Sequence, residues 1–315
     1  MNIYSAPVKL INKYRCVSLI LLAAGILCVA CSPKHTPYVS ACATIRDNTP
    51  ICLVPEAPGV SVYEDNNVVI DYSNASSGYI MISYLGSAPL VKVQITGPDY
   101  MTYSYDIRDN NENYYPVSAG EGLYTMEIYE QIEGMTFSKL CCFEQNFSVS
   151  DEHQAFLYPN VYVKFDSDSD IVTKAKEIAA PAHDDLEAIN YIYNYLIENI
   201  SYDLDKANNV ESGYIPDPDE ILEIKKGICL DYASVMTGML RSQRIPARME
   251  VGYAGTAYHA WLSAYAENIG WINGIVEFDG TNWSIMDPTV ASNSGEDALV
   301  SFIGDGGSYL TKYIY

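Results

Sequence analysis

The stretch KKGICLDYASVMTGMLRSQRIPARMEVGYA, Lys225 to Ala254, changes character at its fifth residue. From Cys229 onward, Ala233, Met236 and Leu240 recur at three- and four-residue steps, which predicts a helix opening at Cys229. A cysteine in a first helical turn lies beside unpaired N–H groups and the positive end of the helix dipole, and both favour the thiolate. The same N–H groups can donate to an oxyanion. Taken alone, the thiol could fill a core, form half of a disulfide, or act as a nucleophile, so its surroundings in the chain must decide.

Upstream, DDLEAINYIYNYLIENISYD repeats Leu186, Ile189, Ile192, Leu196 and Ile200 with helical spacing, and Asp184 can cap it. DPDEILEIKKG predicts a short helix stopped by Gly227. Downstream, ARMEVGYA, HAWLSAYA and WSIMDPT read as strands. They put His259 at the start of one strand and Asp287 at the end of another, with Pro288 stopping the ladder. A thiol needs a base to activate it, and the base needs a carboxylate to fix its tautomer.

Taken in order, KGICLDYA, GYAG followed by YHAWLSAY, and WSIMDPT resemble the motifs of the transglutaminase-like (papain-like cysteine) superfamily. The resemblance spans roughly residues 155–295 and looks closest to exported bacterial members with a β-rich N-terminal region. It implies an α+β domain with Cys229 as nucleophile, His259 as base and Asp287 as orienting acid. It implies an enzyme that acts on amide or peptide carbonyls through a thioester, with protein or peptide substrates and no cofactor. The oxyanion would be held by the Cys229 N–H, and Tyr214 in SGYIPD is the candidate second donor, with a stacking or turn role as the other reading. Water as acceptor gives a peptidase or amidase, and an amine gives a transglutaminase. The competing class is a non-catalytic surface binding or structural protein that keeps the fold.

One departure carries a geometric expectation. NIGWINGIVEFDGTN separates the His strand from the Asp strand. In a plain meander, strand direction reverses each time and Asp287 would fall at the far end from His259. The triad therefore predicts that 259–264 pairs directly with 283–287. It also brings Trp271 and Trp283 to the rim of the site, or else into the core.

The preceding region is different. Between 60 and 150, short alternating segments such as GYIMISYL and LVKVQITG are separated by Asn, Gly, Pro and Asp at spacings of about ten residues. Val91, Val93 and Ile95 fall on one strand face. This predicts an immunoglobulin-like β-sandwich at 58–150, a spacer or adhesion module, ahead of the domain at 151–315.

The first 30 residues combine three basic side chains with the apolar run CVSLILLAAGILCVA, the layout of an export signal. Cys31 follows Ala30 and is the expected lipidation site of a bacterial lipoprotein; an uncleaved transmembrane anchor is the other reading. Residues 31–57 would then be a tether on the outer face of the cell membrane. Without residues 1–30 the chain keeps 15 basic against 40 acidic residues, near −25, which argues against nucleic acid or anionic lipid surfaces as partners. Of eight cysteines, Cys42, Cys52, Cys141 and Cys142 are left as candidates for two bridges, with the pairing open, and Cys229 is unpaired. His35, His153 and His183 read as surface or tether residues. No metal site is expected. DSDSDIVTKAKE puts Asp166, Asp168, Asp170 and Glu177 at positions 1, 3, 5 and 12 of a calcium loop, but Ile171 occupies the glycine position, so a helix start is expected instead.

Overall fold

The computed structural model describes residues 46–107, 113–211, 213–254, 257–267, 269–273, 276–278, 283–285 and 309–315. The expected signal segment, Cys31, Cys42 and Asp287 lie outside these residues. The chain is a mixed α/β fold with many antiparallel strands. Among the described residues no helix is long and apolar enough to cross a membrane.

The first half is built of eight strands: β1 (Val62–Asp65), β2 (Val68–Asp71), β3 (Tyr79–Tyr84), β4 (Val91–Thr96), β5 (Thr102–Ile107), β6 (Asn113–Pro116), β7 (Gly122–Glu133) and β8 (Thr136–Phe147). They form two antiparallel four-stranded sheets, in the orders β1-β2-β3-β6 and β5-β4-β7-β8. β1 and β2 are joined by Asn66 and Asn67, whose positive φ angles of 46° and 64° suit a tight hairpin. On β4 the alternation holds as expected: Val91, Val93 and Ile95 are buried and their neighbours half-buried. The sheets meet through rings, with Tyr63 stacked on Phe143 at 4.5 Å and Tyr105 against Tyr115 at 4.7 Å.

The second half begins with α1 (Asp170–Ala179) and α2 (Asp185–Asn199), then β9 (Ser201–Tyr202), α3 (Leu204–Asn209), α4 (Pro218–Ile224), β10 (Lys226–Gly227) and α5 (Cys229–Ser242). Asp184, Asp203 and Asp217 each accept an N–H from the first turn of α2, α3 and α4. DSDSD does start a helix: Asp166 accepts the Asp168 N–H, and Asp219 of α4 accepts the Ile171 N–H at 2.9 Å. Among the described residues no His, Cys, Asp and Glu grouping suits a metal ion.

α4 ends differently from the expectation. Lys225, not Gly227, takes the left-handed conformation that stops it, with φ 55°. Gly227 instead belongs to β10, which pairs in parallel with β9. A side chain there would bring its Cβ to 2.7 Å from Cβ of Asp231, so the glycine permits a close approach rather than a helix stop.

The chain continues through β11 (Ala247–Ala254), β12 (Ala257–Ala266), β13 (Gly270–Ile272), β14 (Val276–Phe278), β15 (Trp283–Ile285) and β16 (Tyr309–Ile314). The main sheet has the order β13-β12-β11-β16, while β14 and β15 form their own antiparallel pair. α5 packs along β11 and β12.

The stretch read as a tether differs from 46 onward. Arg46 pairs with Asp185 at 2.7 Å, the Ile51 N–H donates to Ser242 at 2.9 Å, and Asn48 donates to Ala182, so 46–51 is strapped across the start of α2 and the end of α5. The switch from strands to helices near 150 is likewise a change of secondary structure and not a break in packing. The described residues fall within one compact unit, and Tyr313 and Tyr315 set their rings 5.5–5.6 Å from Tyr103 on β5.

Candidate active site

Cys229 is the first residue of α5, half-buried, and Ile228 holds the N-cap position. The N–H groups of Asp231 and Tyr232 close onto the Ile228 carbonyl, at 2.9 and 3.0 Å. Those of Cys229 and Leu230 have no acceptor among the described residues, as the first turn of a helix leads one to expect. They are the donors an oxyanion at this thiol would meet.

The chain path brings His259 to the same end of the layer. α5 is 14 residues, about 21 Å long. At its far end Arg241 donates through Nε to the Ala247 carbonyl at 2.9 Å, and β11 runs back from there. β12 then returns until the Tyr265 N–H meets the Pro246 carbonyl at 2.8 Å. His259 lies six residues earlier on β12, about 20 Å back toward the start of α5. It stands opposite Gly252 in the β11–β12 register, half-buried, and shares its face with the buried Trp261, ring to ring at 6.4 Å.

The pairing expected beyond His259 is different. β12 pairs with β11 along 257–264 and with β13 at 264–266. Residues 283–285 pair instead with 276–278. The intervening segment makes a local hairpin, in which nearby residues close a ladder at less loop entropy than a distant pairing would need. Asp287 itself lies outside the described residues. Trp271 is far from the start of β12: it pairs with Tyr265 and packs under the Arg248 guanidinium, 3.9 Å from the ring centroid, and against His153 and Phe156. His153, expected at the surface, is thus partly enclosed, with its ring 4.0 Å from that of Tyr265. Nothing is described of the Trp283 side chain.

Tyr214 and two residues that the sequence reading passed over form a cluster at the first turn of α5. Asp231 is fully buried. Its Oδ1 accepts the Tyr214 hydroxyl at 2.7 Å, and its Oδ2 accepts Lys206 Nζ at 2.7 Å and the Ile228 N–H at 2.8 Å. The hydroxyl proton of Tyr214 is therefore directed at Asp231 in this structure. Burial and the Asp231 carboxylate both push the Tyr214 hydroxyl pKa well up, so it stays protonated. The acidic residue three places after the N-cap was a readable signal for Asp231; nothing local marks Lys206 as its partner.

Among the described residues Cys52, Cys141, Cys142 and Cys229 are all free. Cys141 and Cys142 are successive residues on β8, one buried and one exposed, and point to opposite faces. Cys52 lies near Asp166, while Cys141 lies near Asp65; burial and these carboxylates raise both thiols, Cys141 to about 11.

A cleft of about 690 Å³ opens elsewhere, between Leu53–Pro55 just after the strap, Tyr114 of β6, and the 159–169 and 213–219 segments. Cys229 does not line it.

Residues 172–274 match the model of the transglutaminase-like superfamily. The chain carries a transglutaminase-like domain. That span covers most of α1, all of α2 to α5 and the strand bearing His259. A curated relative, UPF0252 protein MJ1282 of Methanocaldococcus jannaschii, is 33% identical over 92 residues, 25% of this chain and 26% of that protein. The chain thus spans about a quarter of the length of the curated relative it matches. Among solved structures, a candidate cysteine protease from Cytophaga hutchinsonii is 13% identical, covers 85% of this chain and 74% of its own, and has a TM-score of 0.38. The periplasmic domain of TgpA from Pseudomonas aeruginosa is also 13% identical, covers 69% and 90%, and has a TM-score of 0.34.

Proposed function

We propose that the transglutaminase-like domain is a cysteine enzyme in which the Cys229 thiolate attacks an amide or peptide carbonyl. The attack forms a C–S bond and a tetrahedral oxyanion held by the Cys229 N–H, and collapse to a thioester expels the amine. His259 protonates that amine and then removes a proton from the incoming water or amine. Asp287 is the proposed orienting acid, which would have to reach His259 by a route other than a direct pairing of its strand with β12. The carrying observation is the position of Cys229 at the head of the buried helix α5, with unpaired N–H groups beside it. The start of β12 at that same end supports His259 as its base.

We also propose that the two N-terminal sheets are an immunoglobulin-like sandwich acting as a spacer, and that the protein is exported and held on the outer face of the cell membrane through lipid on Cys31. Two antiparallel four-stranded sheets in ring contact support the first, and the basic-then-apolar leader ending at Cys31 supports the second. Its substrates on this reading are surface proteins or peptides.

The test is the pH dependence of iodoacetamide alkylation at Cys229 in wild type and in His259→Ala. An activated thiol reacts well below the ordinary range near ~8.5, and the variant loses that reactivity. Identical curves near ~8.5 for both proteins would favour the non-catalytic surface role. Amine-incorporation and peptide-hydrolysis assays then separate transfer from hydrolysis.

A further inference from the structure

The Lys206–Tyr214–Asp231 cluster is larger than helix capping requires. One N–H, that of Ile228, is all that the N3 carboxylate satisfies at the helix start. The remaining acceptor capacity of this fully buried group goes to Lys206 and Tyr214, which come from two other segments. Lys206 sits on α3, and its Nζ also donates to the Tyr214 oxygen at 2.6 Å and lies 4.3 Å from the Tyr214 ring centroid. Gly227 leaves the space that the Asp231 side chain occupies. The arrangement ties α3, the approach to α4 and the first turn of α5 together, directly beside Cys229.

Charge makes this more than a clamp. A buried carboxylate two residues from Cys229 opposes a thiolate there, and the paired ammonium cancels that opposition. We propose that Lys206, Tyr214 and Asp231 are positioning residues for Cys229: they fix its helical turn, and the Lys206 cation neutralises Asp231 so that the thiolate can form. The proposal deepens the nucleophile reading given above and rests on it. The other charged groups around the cluster are Asp203, which Lys226 meets at 3.1 Å, Asp217 at the N-cap of α4 and Glu220 in its first turn, with His259 on β12 as the proposed base. Asp203, Asp217 and Glu220 make no bond to Asp231 among the described contacts.

The test uses the full chain and follows iodoacetamide labelling of the Cys229 peptide by mass spectrometry against pH. Lys206→Met leaves the carboxylate unopposed and should raise the alkylation midpoint by about one pH unit, roughly a tenfold slower reaction at a pH below it. Asp231→Asn removes the negative charge and should lower the midpoint by a similar amount. Lys206→Arg should restore the wild-type curve. Opposite signs are what loosened packing cannot produce. Two shifts in the same direction, or none in either folded variant, would overturn the proposal. If Lys206→Met does not fold, Asp231→Asn decides alone, since a side chain of the same shape keeps an acceptor in place and a downward shift is still required. The catalytic reading fails separately, when the His259→Ala curve matches wild type, and the two shifts can be read whether or not it does.

Discussion

Gly252 offers the sharpest test of how the strand layer is closed beside the site. It stands opposite His259 on β11, and β16 pairs on its other side. There the register slips: Val251 faces Tyr313, yet Gly252 faces Thr311, so one residue of β16 bulges over the glycine. A methyl group at 252 would place Cβ 2.0 Å from the Leu310 carbonyl oxygen and 3.0 Å from both the Leu310 carbonyl carbon and the Lys312 nitrogen. These are backbone atoms, so no side-chain rotation relieves the clash. An ordinary C···O contact is about 3.5 Å, and β16 would have to move by more than about 1 Å. Overpacking of this kind costs about 1–3 kcal/mol. One lost ladder bond adds about 1 kcal/mol, as does the 2.6 Å bond from Thr311 to Glu250. Gly252→Ala should therefore destabilise the protein by about 3–5 kcal/mol, a large part of the 5–15 kcal/mol typical of folded chains. Urea unfolding followed by intrinsic fluorescence measures it. Gly134→Ala is the control, because its φ of 53° strains an alanine while nothing lies within 4 Å of the new Cβ. A loss below about 0.5 kcal/mol for Gly252→Ala would refute the closure of β16 on β11.

Two further outcomes follow from buried groups. Arg241 is fully buried and donates to the Ala247, Tyr158 and Tyr315 carbonyls at 2.9, 2.6 and 2.8 Å. Arg241→Met leaves three acceptors unpaired, and even after relief of the buried charge it should cost about 3 kcal/mol in denaturant unfolding; a neutral result would mean water replaces the guanidinium. For the β8 thiols, iodoacetamide at pH 8 in the folded protein should modify Cys142 and spare Cys141, which is buried and raised to about 11. A raised thiol favours the folded state while protonated, so this contribution is complete below the unfolded thiol pKa near ~8.5 and is lost as pH climbs toward 11. Equal labelling of both cysteines in the folded protein would contradict the buried position of Cys141.

What the sequence by itself determined is what a few neighbouring residues decide together. The helix opening at Cys229, the Asp184 cap and the alternation of Val91, Val93 and Ile95 all held, because periodicity and capping are settled within one or two turns. The order of motifs likewise marks the transglutaminase-like region. Where partners come from far along the chain, the outcome belonged to the tertiary structure. The two-residue strands β9 and β10 exist only through each other, and their pairing explains Gly227 better than a helix stop does. Residues 46–51 look like a polar tether until Asp185 and Ser242 appear beneath them. The 283–285 strand turned to its near neighbour at 276–278 rather than to β12, as loop entropy favours. Lys206 is an ordinary surface lysine in sequence, and only the fold sets its ammonium on a buried carboxylate 25 residues away, at the first turn of the helix that begins with Cys229.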